Sequence, residues 1–253
     1  GLRGVLVNPD ETISIMVNEE DHLRLQTILS GFQPREAFRL ASEVDGDLAR
    51  ALPYAYSAKW GYLTACPTNV GTGLRASALI HLPGLVLTQD MEKVLRGITQ
   101  MGFAVRGLYG EGTDVLGNLF QISNQVTLGR HAEQIIDDLD KVTRQILSFE
   151  QGARQTLLKE ARPQIEDKIW RAYGILENAR VLTTQEFMNL SSAARLGHSL
   201  GLIARPGVRA LNELMVRTQP SHIQRTAGRK LEPVDRDVLR ADIVRKRLQD
   251  PSS

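Results

Sequence analysis

"RGVLVNPDETISIMV", Arg3 to Val17, places two short apolar, β-branched runs on either side of the turn signal Asn8-Pro9-Asp10. That pattern predicts a β-hairpin, which is an antiparallel unit, and it sets the expectation for the chain around it. The next stretch, "VNEEDHLRLQ" (17–26), is expected to open a helix. Asn18 suits an N-cap, and Glu19, Glu20 and Asp21 in a first turn complement the positive end of a helix dipole. Leu23, Leu25, Ile28 and Leu29 continue at near-helical spacing. A second helix is expected from Pro34 through "REAFRLASEVDGDLARAL", proline being favourable at the first helical position. "GYLTA" (61–65) and "ASALIHLPGLVL" (76–87) are strand-like in part. "TQDMEKVLRGITQM" is an amphipathic helix with Thr88 as its cap, and "FAVRGLYG" and "NLFQISNQVTL" are the last strand candidates.

From His131 onward helices alone are expected, beginning with the long "AEQIIDDLDKVTRQILSFEQGARQTLL". Strands and helices do not follow a strict βαβ rhythm, so the fold class is α+β: an antiparallel sheet flanked by helices, then an all-helical C-terminal domain. The boundary is set near residue 150, giving 1–150 and 151–253. The helical tail shows few long apolar faces and is expected to lean on the sheet domain or on a second copy of itself.

Bulk properties exclude several classes. The chain has 253 residues, 42% hydrophobic and 24% charged, as expected of a soluble globular protein. One cysteine, Cys66, rules out an internal disulfide framework and fits a reducing compartment such as the cytoplasm. No apolar run is long enough for a membrane span, and no signal peptide is visible. The net charge of +2 does not point to nucleic acid, but it is unevenly spread. Residues 217–247 hold nine Lys/Arg against four acids, which suits a phosphate or an acidic surface, or a solvated helix face. The chain opens "GLRGVLVN" without methionine, so a fragment lacking an N-terminal part is expected.

Two further stretches bear on chemistry. "CPTNVGTGLRAS" (66–77) combines a cysteine, a Gly/Thr turn and Arg75, but lacks the Gly-Lys-Ser/Thr of a Walker A loop. Cys66 is either an inert packed thiol or a thiolate favoured by neighbouring hydroxyls and cations. "RGLYGEGTD" (106–114) is a glycine-rich turn bracketed by Arg106 and acids.

Taken together, "NEEDHLR", "CPTNVGTGLRAS" and "RGLYGE" resemble, in order, the three core motifs of the ATP:guanido phosphotransferase (phosphagen kinase) family. The chain is more similar still to the bacterial protein-arginine kinases, over nearly its whole length. "RDVLRA", Arg236 to Ala241, resembles the RDxxRA phosphoarginine-binding motif of their helical domain. The family's Ser-Arg-x-Arg nucleotide segment and a nucleotide-contacting histidine would lie upstream of residue 1.

The resemblance implies transfer of the γ-phosphoryl of ATP, with Mg²⁺, to arginine side chains of proteins, marking them for Clp-type proteolysis. By position in the motifs, Glu20, Cys66 and Glu111 are the catalytic candidates. Arg24, Arg75, Ala76, Ser77, Ala78, Leu79, Arg106, Gly107, Leu108, Tyr109, Gly110 and Glu111 are the nucleotide-binding candidates. Arg236, Asp237 and Arg240 are the phosphoarginine-binding candidates, and no protein-borne metal site is implied. Implied partners are protein substrates with exposed arginines, the Clp protease machinery, an activator protein and a second copy of the chain. A small-metabolite guanidino kinase, or a phosphoarginine-binding module without catalysis, are the alternatives.

The chemistry explains the residue types. A guanidinium carries its proton to pH above about 12 and is a poor nucleophile until the proton leaves. Carboxylates hold the planar fork bidentately and accept that proton, with Glu20 the first choice as base and Glu111 the second. Arginines neutralise charge on the transferred phosphoryl and on the departing nucleotide. Glu19 and Asp21 are expected to cap and support. His22 and His81 are expected in surface or packing roles, and Trp60, Tyr109 and Trp170 as packing residues.

Overall fold

The computed structural model describes residues 2–108 and 115–250. The chain divides into two compact units. The first comprises Gly1–Ile80, Glu92–Val105 and Gln121–Leu147, and the second His81–Met91, Arg106–Phe120 and Ser148–Ser253.

The first unit begins with an antiparallel meander of β1 (Gly4–Val7), β2 (Ile13–Val17) and β3 (Leu23–Thr27). The expected first hairpin is present, with Val7 opposite Ser14 and Gly4 opposite Val17. Asn8 organises its turn: its Oδ1 accepts the Ile13 amide at 2.8 Å and its Nδ2 donates to Thr12 Oγ1 at 3.0 Å.

The second hairpin corrects the helix expected from Asn18. Residues 18–22 form a loop, and 23–27 pair with β2 as Val17↔Leu23, Met16↔Arg24 and Ile15↔Leu25. Asn18 takes φ of 56°, a left-handed conformation that asparagine tolerates and an N-cap does not use. Its amide donates to the His22 carbonyl at 3.0 Å, and its Oδ1 lies 3.1 Å from His22 Nδ1, closing the loop. Leu23 and Leu25 are two apart, so they satisfy the period of a strand as well as the looser helical spacing.

Helix α1 (Pro34–Ala51) starts at the proline, as expected. Thr27 Oγ1 donates to the Ala37 carbonyl at 2.8 Å and ties α1 to β3. Of "GYLTA" only β5 (Gly61–Tyr62) is strand, paired with β4 (Tyr56–Ser57). Gly61 has φ of 75°, and a Cβ there would lie 2.3 Å from the Gly71 carbonyl oxygen, so the close approach requires glycine.

A third sheet has the order β6-β8-β7, from β6 (Ser77–His81), β7 (Phe103–Gly107) and β8 (Leu119–Asn124). After His81 the apolar run stops being strand, because Pro83 begins the short helix α2 (Pro83–Leu87). Thr88 does not cap α3 (Met91–Gln100). Its amide donates to the Gly84 carbonyl and closes α2 instead. Helix α4 (Ala132–Glu160) buries Ile135, Ile136, Leu139, Val142 and Ile146, spaced at three, four and one residues along one stripe.

The second unit contains α5 (Arg162–Asn178), α6 (Thr184–Ser199), α7 (Val208–Arg217), α8 (Pro220–Ala227) and α9 (Pro233–Gln249). Thr183 caps α6 by accepting the Glu186 amide at 3.1 Å. As expected, these helices do not pack alone: the cluster they bury includes Leu119 of β8, with Leu87, Leu108 and Leu116 against it. Ile165, Ile169, Leu176, Phe187, Leu196, Leu211, Leu214 and Val244 are buried in one hydrophobic cluster. The apolar stripes are short, but α5, α6, α7 and α9 each contribute one. Gly197 lets α6 approach α5, since a Cβ there would meet Ile169 Cγ2 at 2.4 Å.

Candidate functional site

In the first unit two loops meet. The loop 18–22 carries Glu20, and the segment 64–73 carries Cys66. Asp21 joins them, its Oδ1 accepting the Ala65 amide at 2.6 Å. Glu20 and Cys66 therefore each lie next to a partner of the same hydrogen bond. This replaces the capping role expected of Asp21. Glu20 itself is exposed.

Arg24 projects from β3, not from a helical turn after Glu20. Its Nη1 pairs with Glu19 Oε2 at 3.1 Å, both side chains being about half exposed. Glu19 therefore holds the arginine as a surface ion pair, an interaction weak enough for a polyanion to displace.

The Cys66 backbone and side chain are both held. Thr64 Oγ1 donates to the Cys66 carbonyl at 2.7 Å, and Cys66 Sγ lies 3.0 Å from Thr68 Oγ1. A hydroxyl at that distance can donate to a thiolate. Pro67–Asn69 makes a single 3-10 turn, and Gly71 then pairs with Tyr62 through N–H···O bonds of 2.8 and 3.2 Å.

Two positioning residues were missed in the sequence. Thr127, buried, donates from Oγ1 to the carbonyls of Thr68 at 2.9 Å and Val70 at 2.7 Å, holding the turn after Cys66. Asn124 does the same for Arg75: its Oδ1 accepts the Ala76 amide at 2.8 Å and its Nδ2 donates to the Leu74 carbonyl at 3.1 Å. Arg75 is thus exposed on a backbone clamped on both sides. The local signal is a buried polar asparagine at the end of β8.

Among the other nucleotide candidates, Ala76 and Ser77–Leu79 lead into and along β6, with Ala76 buried and Ser77 and Leu79 exposed. Arg106 and Gly107 end β7, and the Leu108 amide donates to the Leu119 carbonyl at 3.1 Å. Tyr109, Gly110 and Glu111 lie outside the described residues. Among the described residues no three His, Cys, Asp or Glu side chains form a group able to hold a metal.

On α9 the three candidates of "RDVLRA" are unlike one another. Arg240 is 1% exposed, donating from Nε to the Thr218 carbonyl at 3.0 Å and from Nη1 to the Leu182 carbonyl at 2.6 Å and to Asp237. Arg236 is half-buried, and its Nη1 donates to the Leu231 carbonyl at 3.1 Å. The spacing that puts both arginines on one side of a helix does not give them equal access. Asp237, with a side chain 23% exposed, is held in place by Arg240.

Of the bland expectations, His81 has a packing role, its Nε2 lying 2.8 Å from Ser192 Oγ. Trp60 and Trp170 are half-exposed rather than packed inside, Trp60 beneath Lys59 Nζ and Trp170 edge-on to Tyr173.

Comparison with known proteins places this geometry. Residues 1–153 match the ATP:guanido phosphotransferase C-terminal catalytic domain, and residues 162–253 match the protein-arginine kinase McsB C-terminal domain. Protein-arginine kinase of Symbiobacterium thermophilum is 52% identical over 246 residues, covering 97% of this chain and 70% of that protein. That of Pelotomaculum thermopropionicum is 53% identical over 244 residues, covering 96% and 68%. Among solved structures, lombricine kinase aligns with a TM-score of 0.52 at 28% identity, over 59% of this chain and 42% of that one. The duplicated taurocyamine kinase of Schistosoma mansoni shares the fold, with a TM-score of 0.54 at 23% identity over 73% of this chain and 26% of that one. With both halves matched and half of the residues identical to those of such relatives, the chain belongs to the ATP:guanido phosphotransferase family, on its protein-arginine kinase branch.

Proposed function

We propose that the protein transfers the γ-phosphoryl of ATP to arginine side chains of proteins. The observation that carries the chemistry is the hydrogen bond between Asp21 and the Ala65 amide, which brings the Glu20 loop to the Cys66 loop. The Glu20 carboxylate binds the substrate guanidinium and accepts a proton from its Nη. The freed nitrogen lone pair forms the N–P bond, the bond from γ-phosphorus to the bridging oxygen breaks, and ADP leaves with that electron pair. Glu111 is the second carboxylate of this reading. Cys66, its Sγ 3.0 Å from the Thr68 hydroxyl, lies against the guanidinium and fixes its orientation.

Arg24, Arg75 and Arg106 take the nucleotide phosphates, with residues 76–79 and 107–111 lining the nucleotide. Arg24 reaches them by exchanging Glu19 for a phosphate oxygen. The acids beside Glu20 are already engaged, Glu19 with Arg24 and Asp21 with an amide. That arrangement fits Mg²⁺ carried on the nucleotide, where it would neutralise phosphate charge.

In this reading residues 1–150 are the catalytic domain, and 151–253 form a dimerisation and phosphoarginine-sensing domain. Arg236 and Asp237 meet the ligand, and Arg240 holds Asp237. The protein works in the bacterial cytoplasm, with the Clp machinery and an activator protein as partners. The test is incubation with ATP and Mg²⁺ and either an arginine-rich unfolded protein or free arginine, followed by ³¹P NMR for the acid-labile N–P bond. Phosphoarginine in the protein is expected. Transfer to free arginine alone refutes the reading in favour of a metabolite kinase.

A further inference from the structure

The segment 214–231, "LMVRTQPSHIQRTAGRKL", contains four basic side chains and no Asp or Glu. Several exposed arginines elsewhere do pair with nearby acids, as in Arg39 with Glu36, Arg144 with Asp140 and Arg162 with Glu166. Arg217, Arg225, Arg229 and Lys230 are all exposed, and among the described residues none is in an ion pair.

Two hydrogen bonds tie this segment to α9, and a third closes the segment on itself. The Thr218 carbonyl accepts from Arg240 Nε at 3.0 Å, and Gln224 Oε1 accepts the Leu231 amide at 3.2 Å. The Leu231 carbonyl accepts from Arg236 Nη1 at 3.1 Å. Each of these anchors is the immediate neighbour of a free cation: Thr218 of Arg217, Gln224 of Arg225, and Leu231 of Lys230. Lys230 thus precedes the residue whose carbonyl holds Arg236, and Arg217 precedes the one whose carbonyl holds Arg240, the partner of Asp237. Beside them on α9, Val234 and Val238 are 68% and 40% exposed and one helical turn apart.

Unpaired cations around a small exposed apolar strip suit an acidic polypeptide, whose carboxylates pair with the cations while its side chains rest on the valines. We infer that this face of α8 and α9 binds the acidic sequence flanking a phosphoarginine, so that the sensing site selects phosphoarginine in acidic surroundings. The inference rests on the α9 reading above and adds the chemistry of the flanks. Arg217, Arg225, Arg229 and Lys230 are its specificity residues. Because they are exposed, their pairs are strongest at low salt.

Fluorescence-polarisation titration of the whole chain tests it with four probes: phosphoarginine peptides with Asp/Glu or Asn/Gln flanks, and the same two peptides with unmodified arginine. At low salt the acidic flanks are expected to tighten binding about tenfold in both pairs, with most of the gain lost at about 0.5 M salt. The triple variant R225Q/R229Q/K230Q should erase that gain while binding the neutral-flanked phosphoarginine peptide as before. Equal affinities for acidic and neutral flanks overturn the inference, as does a gain that survives the triple substitution. Tighter binding of a single-stranded oligonucleotide of equal charge, lost in the triple variant, also overturns it, in favour of a nucleic-acid surface. A flank effect without any gain from the phosphoryl group supports the acidic surface and refutes only the phosphoarginine reading of α9.

Discussion

Arg240→Ala should unfold more than it unbinds. Arg240 is the largest fully buried side chain among the described residues, and it donates to two backbone carbonyls, those of Thr218 and Leu182. Removing it strands both acceptors. Thr218 is 0% exposed, so no water replaces the lost donor without the packing opening. An unsatisfied buried polar group costs roughly 1–3 kcal/mol, and a charged donor lies at the upper end. The void left by so large a side chain adds about 1–2 kcal/mol more unless α9 collapses onto α5 and α7. A total of about 4–6 kcal/mol is expected, a large part of the roughly 5–15 kcal/mol that holds a typical domain folded. Arg236→Ala removes one bond from a half-buried side chain and should cost only about 1 kcal/mol. Urea denaturation followed by far-UV circular dichroism gives both numbers. Phosphoarginine-peptide affinity, measured where each variant is still folded, gives the functional half. Arg236→Ala should lose affinity at near-native stability, whereas Arg240→Ala should lose stability first. An Arg240→Ala variant as stable as the parent would refute the assignment of Arg240 to the interior.

Three other outcomes follow from particular contacts. Glu20→Gln should lower phosphoryl transfer by about 10²–10⁴-fold, because the amide binds a guanidinium but takes no proton, and equal rates in a ³²P-transfer assay would dismiss Glu20 as the base. Gly61→Ala should cost about 1–3 kcal/mol and loosen the loop after Cys66, since its Cβ would press on the Gly71 carbonyl at φ of 75°. Faster hydrogen exchange at the Tyr62 and Gly71 amides is the readout, and unchanged exchange would show the strain to be relieved elsewhere. Burial, then the charges of Arg195 and Arg154, hold the His81 imidazole neutral, well below the ordinary histidine range. A depressed folded-state value means that its contribution to stability is present above the unfolded pKa of about 6.5 and is lost as pH falls. The melting temperature should therefore drop from pH 7.5 to pH 5, and His81→Gln should flatten that slope. A parallel slope in the variant would place the proton uptake on another group.

Much of the fold could be read locally, and the exceptions share a cause. Asn8-Pro9-Asp10, Pro34 and the long apolar stripe of α4 each carry their own signal within a few residues, and each element formed where expected. The stretch 18–26 did not, because Leu23 and Leu25 serve either period and the deciding interaction is with another strand, Met16 opposite Arg24. In the helical tail each helix likewise buries only a narrow stripe, and the core exists only once the stripes of four helices and Leu119 of β8 face one another.

The site repeats this lesson at finer scale. Glu20, Cys66 and Arg75 stand out by motif, because reactive groups must be of particular types. What orients them is generic chemistry from remote positions: an aspartate on an amide, a threonine on two carbonyls, an asparagine bridging residues 74 and 76. Any acceptor or donor of the right reach would serve, so no residue type announces the role. The hairpin correction also changes how Glu20 and Arg24 relate. On a helix they would be stacked a turn apart and free to pair with each other. On the hairpin Arg24 projects from a strand and pairs with Glu19, while Glu20 at the loop remains exposed. In the proposed reaction, the acid assigned to the guanidinium is thereby kept from the cation assigned to the phosphate, with Glu19 in the place a nucleotide would take.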